Sequence, residues 1–195
     1  VLEELGEGNR RFRECRPKHV AYPQAYLKEL ALAQHPKVAI VACADSRVSP
    51  DIIFDQPLGT IFSSRVPGNV ASDSAKWMLE IALGEFKVPL VMIVGHTGCL
   101  AVGQLLDGDK GGAGGTHRWA VSNAVYRAKM RREGDLYLSA IEENVAQTVE
   151  HLVRDLRILR SALMDGTTSI AGAVYDMQTG HVRLIDTHTE LYGKF

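Results

Sequence analysis

Two stretches constrain this chain more than any others: "VAIVA" (Val38 to Ala42) and "VPLVMIVGH" (Val88 to His96). Each is short, apolar and rich in branched residues, so each reads as a strand buried on both faces. Strands of that kind belong to parallel sheets covered by helices on both sides, which places the chain in the α/β class. Each run also ends in polar chemistry where a plain turn would use Gly, Asn or Pro. The first runs into "CADSRV" (Cys43 to Val48), and the second ends on His96 with "TGC" behind it.

The rest of the chain alternates in the same sense. Helical spacing covers Val1 to Arg16, closed by Pro17, and "PQAYLKELALAQ" (Pro23 to Gln34), opened by proline and stopped by Pro36. "TIFSSRV" (Thr60 to Val66) alternates as a short strand, and "DSAKWMLEIALGEF" (Asp73 to Phe86) is an amphipathic helix capped by Ser72 or Asp73. Further helices are expected over Thr97 to Gly108, Arg118 to Arg132 and Leu138 to Leu159. Two last strands, Ser169 to Met177 and His181 to Thr187, are joined by a "QTG" hairpin turn. The expected fold is a mainly parallel central β-sheet with one antiparallel edge strand, flanked by helices. At 195 residues one domain is expected, with 1–35 as an N-terminal helical arm and 36–195 as the α/β core.

Charge and composition remove several functions. A formal net charge of −1 offers no broad basic face, so no nucleic acid is expected as a partner. No run approaches the ~18 apolar residues of a membrane span, and the charged start "VLEELGEGNRRFRE" does not read as a secretory signal. Three cysteines are too few, and odd in number, for a disulfide framework, which points to a reducing compartment. The cytoplasm is the expected location; an organellar protein stripped of its transit peptide would read the same. The glycine-rich run from Asp107 to Arg118 reads as a surface loop, since it lacks the G-K-[ST] ending of a phosphate cradle.

In such sheets ligands gather at the carboxyl ends of the strands, where Cys43 and His96 fall. "HTGC" places Cys99 three residues beyond His96, in the first turn of the next helix. Two thiols and one imidazole form a zinc set, and three protein ligands fit a catalytic site better than a closed structural one. Singly, each residue has a plainer explanation. A strand-end cysteine is usually a small core residue, and Asp45 with Arg47 could be an ordinary surface ion pair.

The pattern C-x-D-S-R at one strand end and H-x-x-C at another resembles the β-class carbonic anhydrases. The resemblance extends through "LKELALAQHPKVAIVACADSRVSPDIIFDQPLGTIFSSRVPGNVA", "FKVPLVMIVGHTGC" and "SIAGAVYDMQTGHVRL". It implies that Cys43, His96 and Cys99 bind Zn²⁺, and that a zinc-bound hydroxide attacks CO₂ to give bicarbonate. It implies that Arg47 pairs with Asp45 and holds this carboxylate off the metal, while in a closed state Asp45 becomes a fourth ligand. Gln34 matches a glutamine that donates to substrate oxygen, though a helix-end polar residue would look alike. Phe62 and Val66 match positions lining the apolar CO₂ pocket. The resemblance further implies a homodimer or tetramer, assembled through the N-terminal arm and the sheet edge, with the active site at the dimer interface.

Three positions depart from the family pattern. Leu100 stands where a glycine usually follows H-x-x-C, which bears on substrate access. Ile81 stands where plant-type members carry a tyrosine, and Ile40 where some bacterial members carry the tryptophan of a bicarbonate site. Two alternatives remain open at this point: a related zinc hydrolase acting on carbon disulfide or carbonyl sulfide, and a non-catalytic protein in which zinc holds the fold.

Overall fold

The structure is a computed structural model that describes residues 1–108, 113, 115–131 and 134–187. The two apolar runs form the middle of a five-stranded sheet: β1 (Val38–Cys43) and β3 (Leu90–His96), every residue of both being buried. They pair in parallel, Ala39 opposite Val91. On the other side of β1 lies β2 (Ile61–Val66), also parallel, with Cys43 opposite Val66. Beyond β3 come β4 (Ser169–Tyr175), parallel, and β5 (Val182–Ile185), antiparallel. The order is β2-β1-β3-β4-β5, so the mainly parallel sheet and its antiparallel edge strand are as expected.

Side chains alternate across the sheet because successive residues of a strand point to opposite faces. Ala39, Val41, Val91 and Ile93 pack on one face with α4 (Asp73–Gly84), α5 (Leu100–Leu106), α6 (Gly115–Arg131), α7 (Leu136–Asp155) and α8 (Arg157–Met164). Val38, Ile40, Ala42, Met92 and Val94 pack on the other with α1 (Leu2–Arg13) and α3 (Pro50–Ile53). Ser72 caps α4 as its composition foretells, its hydroxyl accepting from the Ala75 N–H at 3.1 Å.

Several boundaries differ from expectation for identifiable reasons. The helix expected over Leu138 to Leu159 breaks at Leu156 (φ −100°, ψ 103°), with no Gly or Pro to mark the place. The Arg160 guanidinium stabilises the break by donating to the carbonyls of Val153 and Arg154. α5 starts at Leu100, because Gly98 turns the chain through a left-handed conformation (φ 68°) and leaves Cys99 as the N-cap residue. α6 starts at Gly115, and part of the glycine-rich run lies outside the described residues.

The N-terminal helices behave unlike each other. α1 packs on this chain's own core: Leu5 is buried, and Asn9 Nδ2 donates to the carbonyls of Ile53 (3.2 Å) and Gly180 (2.8 Å). Asn9 Oδ1 accepts from the Val182 N–H at 3.1 Å, tying α1 to the start of β5. α2 (Gln24–Leu30) has no buried residue, and it stops four residues before Gln34. No helix among the described residues is long and apolar enough to cross a membrane.

Candidate metal centre

The chain leaves β1 for one side of the sheet and returns with β3 on the other, so the strand order reverses between them. At such a reversal the connections diverge and leave a crevice at the carboxyl ends of the strands. Cys43 is the last residue of β1 and His96 the last of β3, so both border this crevice. Cys99 joins them from the N-cap of α5, after the Gly98 turn. One ligand atom from each lies within 4.8 Å of the others, and all three residues are buried.

The donor chemistry fits a metal. His96 Nδ1 donates to the Thr97 carbonyl at 2.9 Å, which leaves Nε2 as the bare acceptor nitrogen. That Nε2 is buried and has no hydrogen-bond partner in the protein, a costly state that a metal ion resolves. The thiols act as a pair. Cys43 is pushed down by the hydrogen bond from Cys99, with the N–H groups of Asp45 and Gly68 acting in the same sense. Cys99 is pushed up by the same bond, by burial and by the charge on Cys43. The two sulfurs thus share a proton that a bound cation would displace. A tetrahedral Zn²⁺ site would need these atoms roughly 3.5–3.8 Å apart, a spacing that fits inside the 4.8 Å that bounds them here.

Asp45 and Arg47 form a fork beside the cluster. Arg47 Nε donates to Asp45 Oδ1 at 2.9 Å and Nη2 to Oδ2 at 2.8 Å, while the Arg47 N–H also reaches Oδ1 at 3.0 Å. Arg47 therefore holds the Asp45 carboxyl well below the usual carboxylate range. Its Nη2 also reaches the Gly98 carbonyl at 3.3 Å, joining the β1 end to the "HTGC" turn. Arg65 secures the same loop from β2, donating to the carbonyls of Cys43 (3.2 Å) and Asp45 (2.5 Å).

The remaining sequence candidates divide by position. Val66 lies opposite Cys43 across the β1–β2 ladder. Phe62, four residues earlier, pairs with Phe86, ring centroids 5.6 Å apart. Gln34 is exposed and shares a groove with Leu30, Leu58, Gly59 and Phe86. That groove lies at the amino end of the sheet, where the Lys37 N–H meets the Thr60 carbonyl. At ~3.3 Å per residue, β1 alone puts roughly 17 Å between that end and Cys43. One chain thus gathers Cys43, Asp45, Arg47, Val66, His96 and Cys99, and leaves Gln34 and Phe62 apart at the other end of the sheet. Leu100, 68% exposed, stands on the surface at the start of α5. Tyr137 and Asn144, which touch the backbone around the cluster, carried no signal in the sequence beyond their places in a helical pattern.

Comparison with known proteins agrees with this geometry. The family model described as carbonic anhydrase matches residues 38–182. Carbonic anhydrase 2 of Mycobacterium tuberculosis is 34% identical over 189 residues, covering 93% of this chain and 90% of the relative. The carbonic anhydrase of Mycolicibacterium smegmatis is 33% identical over 186 residues, covering 92% and 89%. Among solved structures, the β-carbonic anhydrase CafA of Aspergillus fumigatus superposes with a TM-score of 0.76 at 26% identity, covering 84% of this chain and 81% of that one. Fold, donor set and relatives converge: the chain belongs to the β-class carbonic anhydrase family, which interconverts carbon dioxide and bicarbonate.

Proposed function

We propose that this carbonic anhydrase works with Zn²⁺, which Cys43, His96 and Cys99 would hold, with Asp45 and Arg47 beside the cluster. The observation that carries the reading is His96 Nε2, buried and partnerless between two thiols. Zinc held there would lower the pKa of a bound water toward ~7 and so would supply a nucleophile at neutral pH. Asp45 then has a defined task. With both oxygens engaged by Arg47 it stays ionised, and its remaining lone pairs accept a hydrogen bond from the attacking water. The fork also holds the carboxylate away from the place a metal would occupy. That favours a catalytic centre over a purely structural one, which has no need of such a restraint.

In this reading Val66 supplies the apolar side of the pocket from the same chain. Phe62, opposite Ala39 at the amino end of the sheet and packed on Phe86, serves a second copy's pocket together with Gln34. Gln34 supplies its hydrogen bond to a second copy's site, because in its own chain it sits at the opposite end of the sheet. α2 supports the same assembly. A seven-residue helix with no buried residue has little to hold it in water, so it gains its stability against another subunit. We therefore read the molecule as a homodimer at least, with residues 14–35 as the reaching arm. A reducing location such as the cytoplasm suits the site, since Cys43 and Cys99 must stay reduced to bind a metal. CO₂ is the substrate assigned, ahead of carbon disulfide or carbonyl sulfide. Metal analysis together with stopped-flow assays on CO₂ and CS₂ tests the reading. It expects one zinc per chain and CO₂ hydration that His96→Ala abolishes with the zinc. Zinc-loaded protein that turns over CS₂ but not CO₂ would overturn it.

A further inference from the structure

Helix α7 lies against the backbone on which all three candidate ligands depend. Tyr137 and Asn144 are seven residues apart, two helical turns, so they share one face of the helix. The Tyr137 hydroxyl donates to the Cys99 carbonyl at 2.8 Å, an oxygen that also accepts from the N–H groups of Val102 and Gly103. Asn144 Nδ2 donates to the Gly68 carbonyl at 2.6 Å, and the N–H of that same glycine faces Cys43 Sγ. Gly68 has φ 71°, a conformation with several neighbouring peptide orientations open to it, and the Asn144 tether selects one. Along the same stretch, from Ile141 to Val145, the helix presses on Gly95, the residue before His96. A Cβ at Gly95 would lie 2.6 Å from Val145 Cγ2 and 3.4 Å from Ile141 Cγ2.

The cost of Asn144 shows that its N–H matters. The side chain is 1% exposed, and its Oδ1 has no partner. A buried amide satisfied on one side only is a net liability to folding, and a leucine of similar size would avoid it. We infer that Tyr137 and Asn144 are positioning residues of the metal centre, bracing from one face of α7 the main chain around Cys99 and Cys43 so that both sulfurs stand in place before a metal arrives. The inference rests on the zinc reading above and assigns residues that lie outside the ligand set. Partners one step removed from a metal typically change its affinity 10–100-fold when lost.

The test uses Tyr137→Phe, which keeps the ring and removes only the hydroxyl, and Asn144→Leu. Three quantities are measured: zinc affinity by competition with a chromophoric chelator, the visible absorption of cobalt-substituted protein, and the melting midpoint of metal-free protein. For Tyr137→Phe the expected result is zinc binding weakened by about 10-fold or more. Altered thiolate-to-cobalt bands and an unchanged metal-free midpoint go with it. A lowered metal-free midpoint with wild-type affinity and spectrum would mean plain packing and overturn the inference. Should Asn144→Leu fail to fold, Tyr137→Phe decides alone. Wild-type protein that takes up neither zinc nor cobalt overturns the zinc reading and this inference with it. Wild-type uptake with an unaltered Tyr137→Phe affinity overturns this inference only.

Discussion

Gly95→Ala adds one methyl group where α7 meets the end of β3, and its effect can be worked from the distances. The new Cβ would stand 2.6 Å from Val145 Cγ2, 3.4 Å from Ile141 Cγ2 and 3.8 Å from the Ile141 carbonyl. Carbon atoms pack at about 3.5–4.0 Å, so helix and strand must part by roughly 1 Å. Interiors do not yield that distance freely, and inserting a methyl into a filled core costs about 1–3 kcal/mol. For a chain of this length each kcal/mol is worth about 2–4 °C in the melting midpoint, so a fall of roughly 2–12 °C is expected. The displaced segment leads into His96, so CO₂ hydration falls along with stability. Val145→Ala in the same chain removes the methyl groups that clash, and the double variant should recover part of both losses. Circular dichroism melts and stopped-flow hydration read the two effects. A Gly95→Ala protein that melts at or above the wild-type midpoint, with wild-type activity, would refute the claim that α7 bears on the metal-bearing strand.

Other expectations follow from particular contacts. Arg47→Ala frees both Asp45 oxygens from the guanidinium, and CO₂ hydration at pH 8 should fall by about tenfold or more, with Arg47→Lys between the two because it keeps charge without the fork; wild-type rates in Arg47→Ala would contradict the role given to the pair. Asp155 is held at about 2 by Arg154 and Lys76, below the ordinary carboxylate value. Its share of stability is therefore complete above about pH 4 and lost as the pH falls from there through about 2. In urea melts across that window Asp155→Asn should show a shallower loss of stability than wild type, and equal slopes would count against the assignment. Arg127 Nε lies 2.6 Å from the buried Glu143 and binds Glu150 as well. Arg127→Leu strands a buried charge, and because Arg131 still reaches Glu143 at 3.0 Å, the loss should fall toward the low end of ~3–5 kcal/mol in urea unfolding. An unchanged midpoint would show that Arg131 alone suffices.

What the sequence made legible was whatever is written in local spacing. The two apolar runs announced buried parallel strands, and "CADSRV" with "HTGC" announced the ligands because strand ends and short turns confine where side chains go. The fork of Arg47 on Asp45 was readable for the same reason, the two residues being only two positions apart. What was not legible depends on chain segments far apart in sequence. Asn9 looks like any polar residue of α1, yet its amide joins α1 to Ile53, Gly180 and Val182. The break at Leu156 has no Gly or Pro because Arg160 satisfies the freed carbonyls from four residues downstream. Tyr137 and Asn144 read as ordinary positions of an amphipathic helix, since their partners, Cys99 and Gly68, lie 38 and 76 residues away. Leu100 changes meaning in the other direction. Its bulk beside Cys99 raised a question of access, and its side chain turns out to be largely exposed.

The central claim is that CO₂ hydration in this chain depends on a metal held by Cys43, His96 and Cys99. The most direct measurement is a zinc titration of metal-free protein under reducing conditions, with hydration followed by stopped flow at pH 8. The account predicts no activity at the start, a linear rise, and saturation at one zinc per chain, with Cys43→Ser and His96→Ala flat throughout. Full activity in metal-free protein, or a full complement of bound zinc without hydration, would contradict it.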